Sequence, residues 1–82
     1  MILINIDDFD LRHNTHEIVL EMIKATELSF TEIIIFGDSF GKVKLTNSDD
    51  LIFNKNTLSI VYENGIRFVV NHRDIAAFKV IR

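Results

Sequence analysis

No cysteine occurs anywhere in the chain, which excludes disulfide staples and thiolate metal sites. Proline is absent as well, so no strand edge carries the residue that most directly blocks edge-to-edge pairing. Positive charge is not in excess: nine basic residues face twelve acidic ones, for a net charge of −3. General binding to a phosphate backbone needs a positive surface, so this balance ranks nucleic acid below protein as a partner. No apolar run approaches the ~20 residues of a membrane span. The start, Met1-Ile2-Leu3-Ile4-Asn5, has no basic lead-in and meets Asp7-Asp8 early, against the pattern of a signal peptide. These absences point to one soluble cytoplasmic domain, residues 1–82, with no membrane contact.

What the chain has is apolar mass. Hydrophobic residues make up 48% of it, including thirteen isoleucines and seven phenylalanines, which is ample for a single core. A chain this short buries little more than ~60% of its unfolded surface, so it needs an efficient core or a partner. The strongest local signal is Leu58-Ser59-Ile60-Val61-Tyr62-Glu63-Asn64-Gly65-Ile66-Arg67-Phe68-Val69-Val70. Asn-Gly suits a two-residue type I′ turn, and this predicts a hairpin in which Glu63 opposes Ile66, Val61 opposes Phe68 and Ser59 opposes Val70. Such a register puts Val61, Ile66, Phe68 and Val70 on one face and Leu58, Ile60, Tyr62 and Val69 on the other. A hairpin apolar on both faces belongs inside a sandwich, a small barrel or an interface. Gly65 is expected to be the demanding glycine of the fold, and Gly37, in a longer loop, the more tolerant one.

Elsewhere the pattern alternates between the two periodicities. Ile2, Ile4 and Ile6 suggest a first strand. Asn14 and Glu17 stand in a capping-box arrangement before a helix from Thr15 to about Leu28. Its Ile18, Val19, Met22, Ile23, Ala25 and Thr26 share one arc, with Leu20 on the polar side. Short strands are expected at Thr31–Phe36, at Lys42–Thr46 with Val43 and Leu45 inward, at Leu51–Phe53, and at the end, where Ala76, Phe78 and Val80 share a face. The fold class is α+β: one N-terminal helix packed on a strongly curved antiparallel sheet or small barrel of five to seven short strands.

Three segments could carry chemistry. Asp7, Asp8 and Asp10, followed by His13 and His16-Glu17, gather oxygen and nitrogen donors at a loop–helix junction, where a divalent cation could sit. Their spacing matches neither an EF-hand loop nor a zinc helix, and acids near a helix N-terminus are favoured by its partial positive charge alone. Ile35-Phe36-Gly37-Asp38-Ser39-Phe40 resembles the nucleophile segment of the SGNH (GDSL-type) esterases, which would make Ser39 a nucleophile. No later histidine block with an acid partner follows, and Gly-Asp-Ser is also ordinary turn chemistry. No catalytic residue, cofactor or metal site is therefore assigned. Asp50-Leu51-Ile52-Phe53-Asn54 and Arg73, ahead of Ile75-Ala76-Ala77-Phe78-Lys79-Val80, are similar to the two motifs of the Sm-like family. That resemblance implies a five-stranded barrel assembling as a ring on uridine-rich RNA, with Asp50, Asn54 and Arg73 as nucleic-acid-binding residues.

Large apolar groups left over after the core is filled give the leading expectation. Phe9, Leu20, Phe40, Tyr62 and Phe53 are that surplus, and Phe9, Leu20 and Phe40, rimmed by Asp7, Asp8 and Asp10, suit a surface that binds another protein with a basic face. The chain thus reads as a non-catalytic binding module of inhibitor, immunity or adaptor type, of the kind phage and mobile elements carry. The Sm-like RNA- or DNA-binding module is the alternative. A homodimer is expected, through a terminal strand or the helix face bearing Leu20, because closed two-fold dimers are the commonest assembly.

Overall fold

A computed structural model describes residues 1–4 and 17–82. The capping residue Asn14, the acids Asp7, Asp8 and Asp10, and Phe9, His13 and His16 lie outside the described residues. The elements run β1 (Ile2–Ile4), α1 (Glu17–Ala25), β2 (Glu32–Gly37), β3 (Gly41–Thr46), β4 (Asp50–Phe53), β5 (Thr57–Val61), β6 (Arg67–Asn71), a 3₁₀ turn (His72–Asp74) and β7 (Ile75–Ile81). The described strands form two sheets, one ordered β1-β4-β5-β6 and the other β3-β2-β7. The class is α+β with a mostly β core, as the sequence predicts. The described strands do not close into a barrel. β1 also departs from the all-antiparallel expectation, because it lies parallel to β4 with Ile2 beside Leu51 and Ile4 beside Phe53.

The core lies between the sheets and under the helix. Val19 and Met22 of α1 meet Ile33 and Ile35 of β2, Leu45 of β3, Leu51 and Phe53 of β4, Leu58 and Ile60 of β5, Val70 of β6 and Ile75 of β7, all buried. Most of these strand positions alternate with a polar or more exposed neighbour, which is how period-two sequences select a buried face. The inward Val43 and Leu45 and outward Lys42 and Lys44 of β3 follow the expected pattern.

The helix stops at Ala25, three residues before its expected end. There the Arg82 guanidinium, from the far end of the chain, donates to the carbonyl oxygens of Ala25 at 3.1 Å and Ser29 at 3.0 Å, giving partners to acceptors at and just beyond the helix end. Leu20 is half-buried on α1.

The hairpin is real but its turn is different. Gly65 N–H donates to Tyr62 O at 2.8 Å, Gly65 has φ +90°, and no non-glycine residue among those described has positive φ. Asn64 is therefore not left-handed, and type I′ is excluded. The loop is instead three residues long, a type I-like turn closed by a left-handed glycine that forms a bulge. One extra loop residue shifts the register by one. Leu58 opposes Val70, Ser59 opposes Val69, Ile60 opposes Phe68 and Val61 opposes Arg67. The shift places Leu58, Ile60, Phe68 and Val70 together on the core face, correcting the expected split between faces. The ladder prefers this register because it buries four large apolar groups on one side.

The two glycines also exchange their expected roles. A Cβ on Gly65 would meet nothing within 4 Å, so only the backbone angle there is special. At Gly37, by contrast, a Cβ would overlap both the Phe40 ring and the carbonyl oxygen of Asp74. Space, not φ, makes Gly37 the more demanding site.

Candidate protein-docking surface

The register fixes which side chains share the outer face of the four-stranded sheet. Strand alternation sends Ile2, Ile4, Leu51, Phe53, Leu58, Ile60, Phe68 and Val70 inward. The opposite face carries a cross-strand row of Leu3, Ile52, Ser59 and Val69, one residue from each strand. A second row beside it holds Asp50, Val61 and Arg67. Leu3 is 50% exposed and Val69 51%, while Ile52 and Val61 are half-buried and Ser59 is buried. An outward sheet face is normally polar, so aliphatic groups from all four strands on one such face are unusual.

The face is held in place by its rim. Asp49 is buried at the turn between β3 and β4, where its carboxylate accepts Thr46 N–H at 2.8 Å, Thr46 Oγ1–H at 3.3 Å and Glu63 N–H at 3.0 Å. These donors, the Thr46 amide foremost, hold the Asp49 carboxyl below its ordinary value despite its burial. Tyr62 caps the same corner by donating its hydroxyl to Lys44 O at 3.0 Å. Partial burial, and then the nearby Asp49 charge, push its phenol up. His72 is buried behind the hairpin with Nε2 2.9 Å from Thr57 O, so Nε2 is the protonated, donating nitrogen there. Asn54 reaches Thr57 Oγ1 and Ser59 Oγ, each at 3.5 Å. These groups build and brace the β4–β5–β6 platform.

The sequence-predicted site residues are distributed differently. Phe40 is a half-buried plug, its ring edge-on to Phe68 with centroids 5.8 Å apart and planes at 75°. Phe9, Asp7, Asp8 and Asp10 lie outside the described residues, so Leu20 and Phe40 are the only members of that set that can be placed. They sit on α1 and on the β2–β3 turn. Of the Sm-like trio, Asp50 opens β4 and pairs with the Met1 ammonium at 3.2 Å, Asn54 is engaged as above, and Arg73 is exposed on the 3₁₀ turn. Ser39 lies exposed in the β2–β3 turn, and His72, the sole described histidine, is committed to Thr57. Among the described residues no cluster of three or more His, Asp or Glu is placed to hold a metal ion.

Reading the sequence alone missed the outer face because the expected register scattered its members. The signal lay in the spacing: Leu58-x-Ile60 and Phe68-x-Val70 can share a core only when Ser59 stands opposite Val69 instead of Val70. An open groove of about 320 Å³ beside the end of α1, lined by Thr26 to Phe30 and Asn47, is another surface concavity. Its Phe30 carbonyl is already taken by the Asn47 amide, and the neighbouring Ser29 carbonyl by Arg82. No described helix is long and apolar enough to cross a membrane. Comparison with protein-family models, with curated proteins and with solved structures finds no match to the chain.

Proposed function

We propose that this protein is a small non-catalytic binding module that docks on another protein through the outer face of its four-stranded sheet. The observation that carries the reading is the row of Leu3, Ile52 and Val69, backed by Val61, on a face that a sheet normally gives to water. Aliphatic groups that stay exposed cost solubility unless something covers them, and polar groups at the rim are the usual frame of a docking patch. The net charge of −3 favours a partner with a basic surface, as an inhibitor, immunity or adaptor protein of phage type would have. A cytoplasmic setting suits a chain with no cysteine.

The finer architecture belongs to the same reading. The turn between β3 and β4 carries the chain from one sheet to the other, and Tyr62 ties the corner back to Lys44. These contacts support two sheets acting as one strongly curved layer, whose convex side presents the docking face.

The test is capture from cells that naturally make the protein, comparing wild type with Val69→Asp as baits and reading the prey by mass spectrometry. A prey retained by wild type and lost by Val69→Asp supports the reading. Preys that bind both baits equally contradict it. Fluorescent oligo-U and oligo-A at low salt test the Sm-like alternative: tight, salt-sensitive binding would replace the protein-docking reading with an RNA-binding one.

A further inference from the structure

We propose that the outer face of the three-stranded sheet is a second docking surface, and that it takes an acidic protein segment with apolar groups interspersed. The ladder registers define this face. Glu32, Ile34 and Phe36 point outward from the central strand β2, because Ile33 and Ile35 between them are buried in the core. Lys42 and Lys44 of β3 lie beside Phe36 and Ile34 on one side, and Ala77 and Lys79 of β7 lie beside the same two residues on the other. Ile34 is thus flanked by two lysines two strand spacings, about 10 Å, apart. Phe36 stands between Lys42 and the small Ala77. At 37% exposure it is the only exposed aromatic side chain among the described residues.

The face carries an excess of cation. Glu32 is the only acid in these rows, and it pairs with Lys44 at 3.7 Å, a surface contact that holds the lysine weakly. Lys42 and Lys79 are exposed and have no ion-pair partner among the described residues. Against a net charge of −3 for the chain, cations gathered around an apolar centre select an anionic partner by charge complementarity. The centre decides which kind. Single-stranded nucleic acid stacks successive bases on aromatic side chains. Here the other outward positions of β2 are aliphatic Ile34 and acidic Glu32, which offer no second ring to a base and a like charge to a phosphate. An acidic segment with apolar side chains meets both features. Its carboxylates reach the lysines at the sides, and its apolar groups cover Ile34 and Phe36. Edge lysines also keep a sheet from pairing edge to edge, but that role makes no use of an exposed Phe36. The aliphatic row of Leu3, Ile52 and Val69 belongs to the other sheet, so one chain offers surfaces to two partners of opposite charge, as an adaptor does.

The test is fluorescence anisotropy of a labelled aspartate-rich peptide with phenylalanines interspersed, titrated with the full chain at low salt. Wild type is expected to bind it, and to bind less well the same peptide with asparagine for aspartate or serine for phenylalanine. Lys42→Glu, Lys79→Glu and Phe36→Ser are each expected to weaken binding about tenfold. Lys55→Glu, at an exposed lysine between β4 and β5, changes the net charge as much as either lysine reversal and is expected to leave binding unchanged. Thermal melting confirms that each variant is folded. A wild type that ignores the peptide overturns the proposal. So does a loss with Lys55→Glu equal to that with Lys42→Glu, which general electrostatics would explain, or binding indifferent to Phe36→Ser. Preference for oligo-U or for phosphatidylserine vesicles over the peptide would overturn it in favour of a nucleic acid or a lipid surface. The peptide results do not bear on the four-stranded face, which the capture comparison with Val69→Asp tests by itself.

Discussion

Replacing Gly37 with alanine tests how this fold is packed, because the added methyl group has nowhere to go. Its Cβ would overlap the Phe40 ring and the Asp74 carbonyl oxygen, one from the β2–β3 turn and one from the 3₁₀ turn before β7. The ring can move only by giving up its edge-on contact with Phe68, and the carbonyl only by displacing the backbone where β7 begins. Overpacking of this kind costs typically 1–3 kcal/mol, and loss of an aromatic pair about 0.5–1.5 kcal/mol more. The expected destabilisation is thus about 2–4 kcal/mol. For a domain of this size 1 kcal/mol moves Tm by roughly 4–8 °C, so the melting temperature should fall by more than about 8 °C. Gly65→Ala serves as the control. It meets no atom within 4 Å and carries only the left-handed backbone penalty of about 1–2 kcal/mol, so its loss should be the smaller one. Thermal and urea unfolding followed by circular dichroism measure both. A Gly37→Ala protein within about 0.5 kcal/mol of wild type, or less affected than Gly65→Ala, would refute the packing argument.

Other expectations follow from the braces around the sheet. Asp49→Ala removes the acceptor for two backbone amides and should cost about 2–3 kcal/mol in urea unfolding, whereas a loss below about 0.5 kcal/mol would deny it that role. Because the folded Asp49 carboxyl is held below its ordinary value, the unfolded chain binds the proton first on acidification. Its contribution is complete above the unfolded value and fades as pH falls through the folded one, so wild type should lose more stability than Asp49→Asn below about pH 4. Removing Arg82 frees the carbonyls of Ala25 and Ser29, and faster amide exchange in the last turn of α1 with little change in global Tm is the expected result. The Tyr62 phenol should titrate above its ordinary midpoint of about 10 in an ultraviolet pH titration, and Asp49→Asn should bring it part of the way back.

Much of the architecture was legible where the pattern is local. The apolar arc of α1, the alternation of Lys42, Val43, Lys44 and Leu45, and the β-branched run Ile33-Ile34-Ile35 each specify an element without help from the rest of the chain. Asn64-Gly65 announced a turn but not its length, since the same dipeptide closes two-residue and three-residue loops. What decides between them is burial across the ladder, where Leu58 with Val70 and Ile60 with Phe68 outweigh the turn's own preference. Contacts from far along the chain were beyond local reading. The parallel seat of β1 beside β4 joins residues 49 apart, Arg82 binds the Ala25 carbonyl at the end of α1, and the space at Gly37 is taken in part by the Asp74 carbonyl. The docking face falls in the same class: it exists only once four strands are in register, and three of its aliphatic groups, Leu3, Ile52 and Val69, come from strands distant in sequence.

The measurement that bears most directly on the account is methyl NMR of the isoleucine, leucine and valine side chains as the captured partner is added. The methyl groups of Leu3, Ile52, Val61 and Val69 should shift together on binding, while those of Leu58, Ile60 and Val70, one residue away but facing the core, hold still. Shifts confined to Leu28 or Leu20 at the helix, or none on adding the partner, would contradict the claim that the outer face of the four-stranded sheet is where this protein binds.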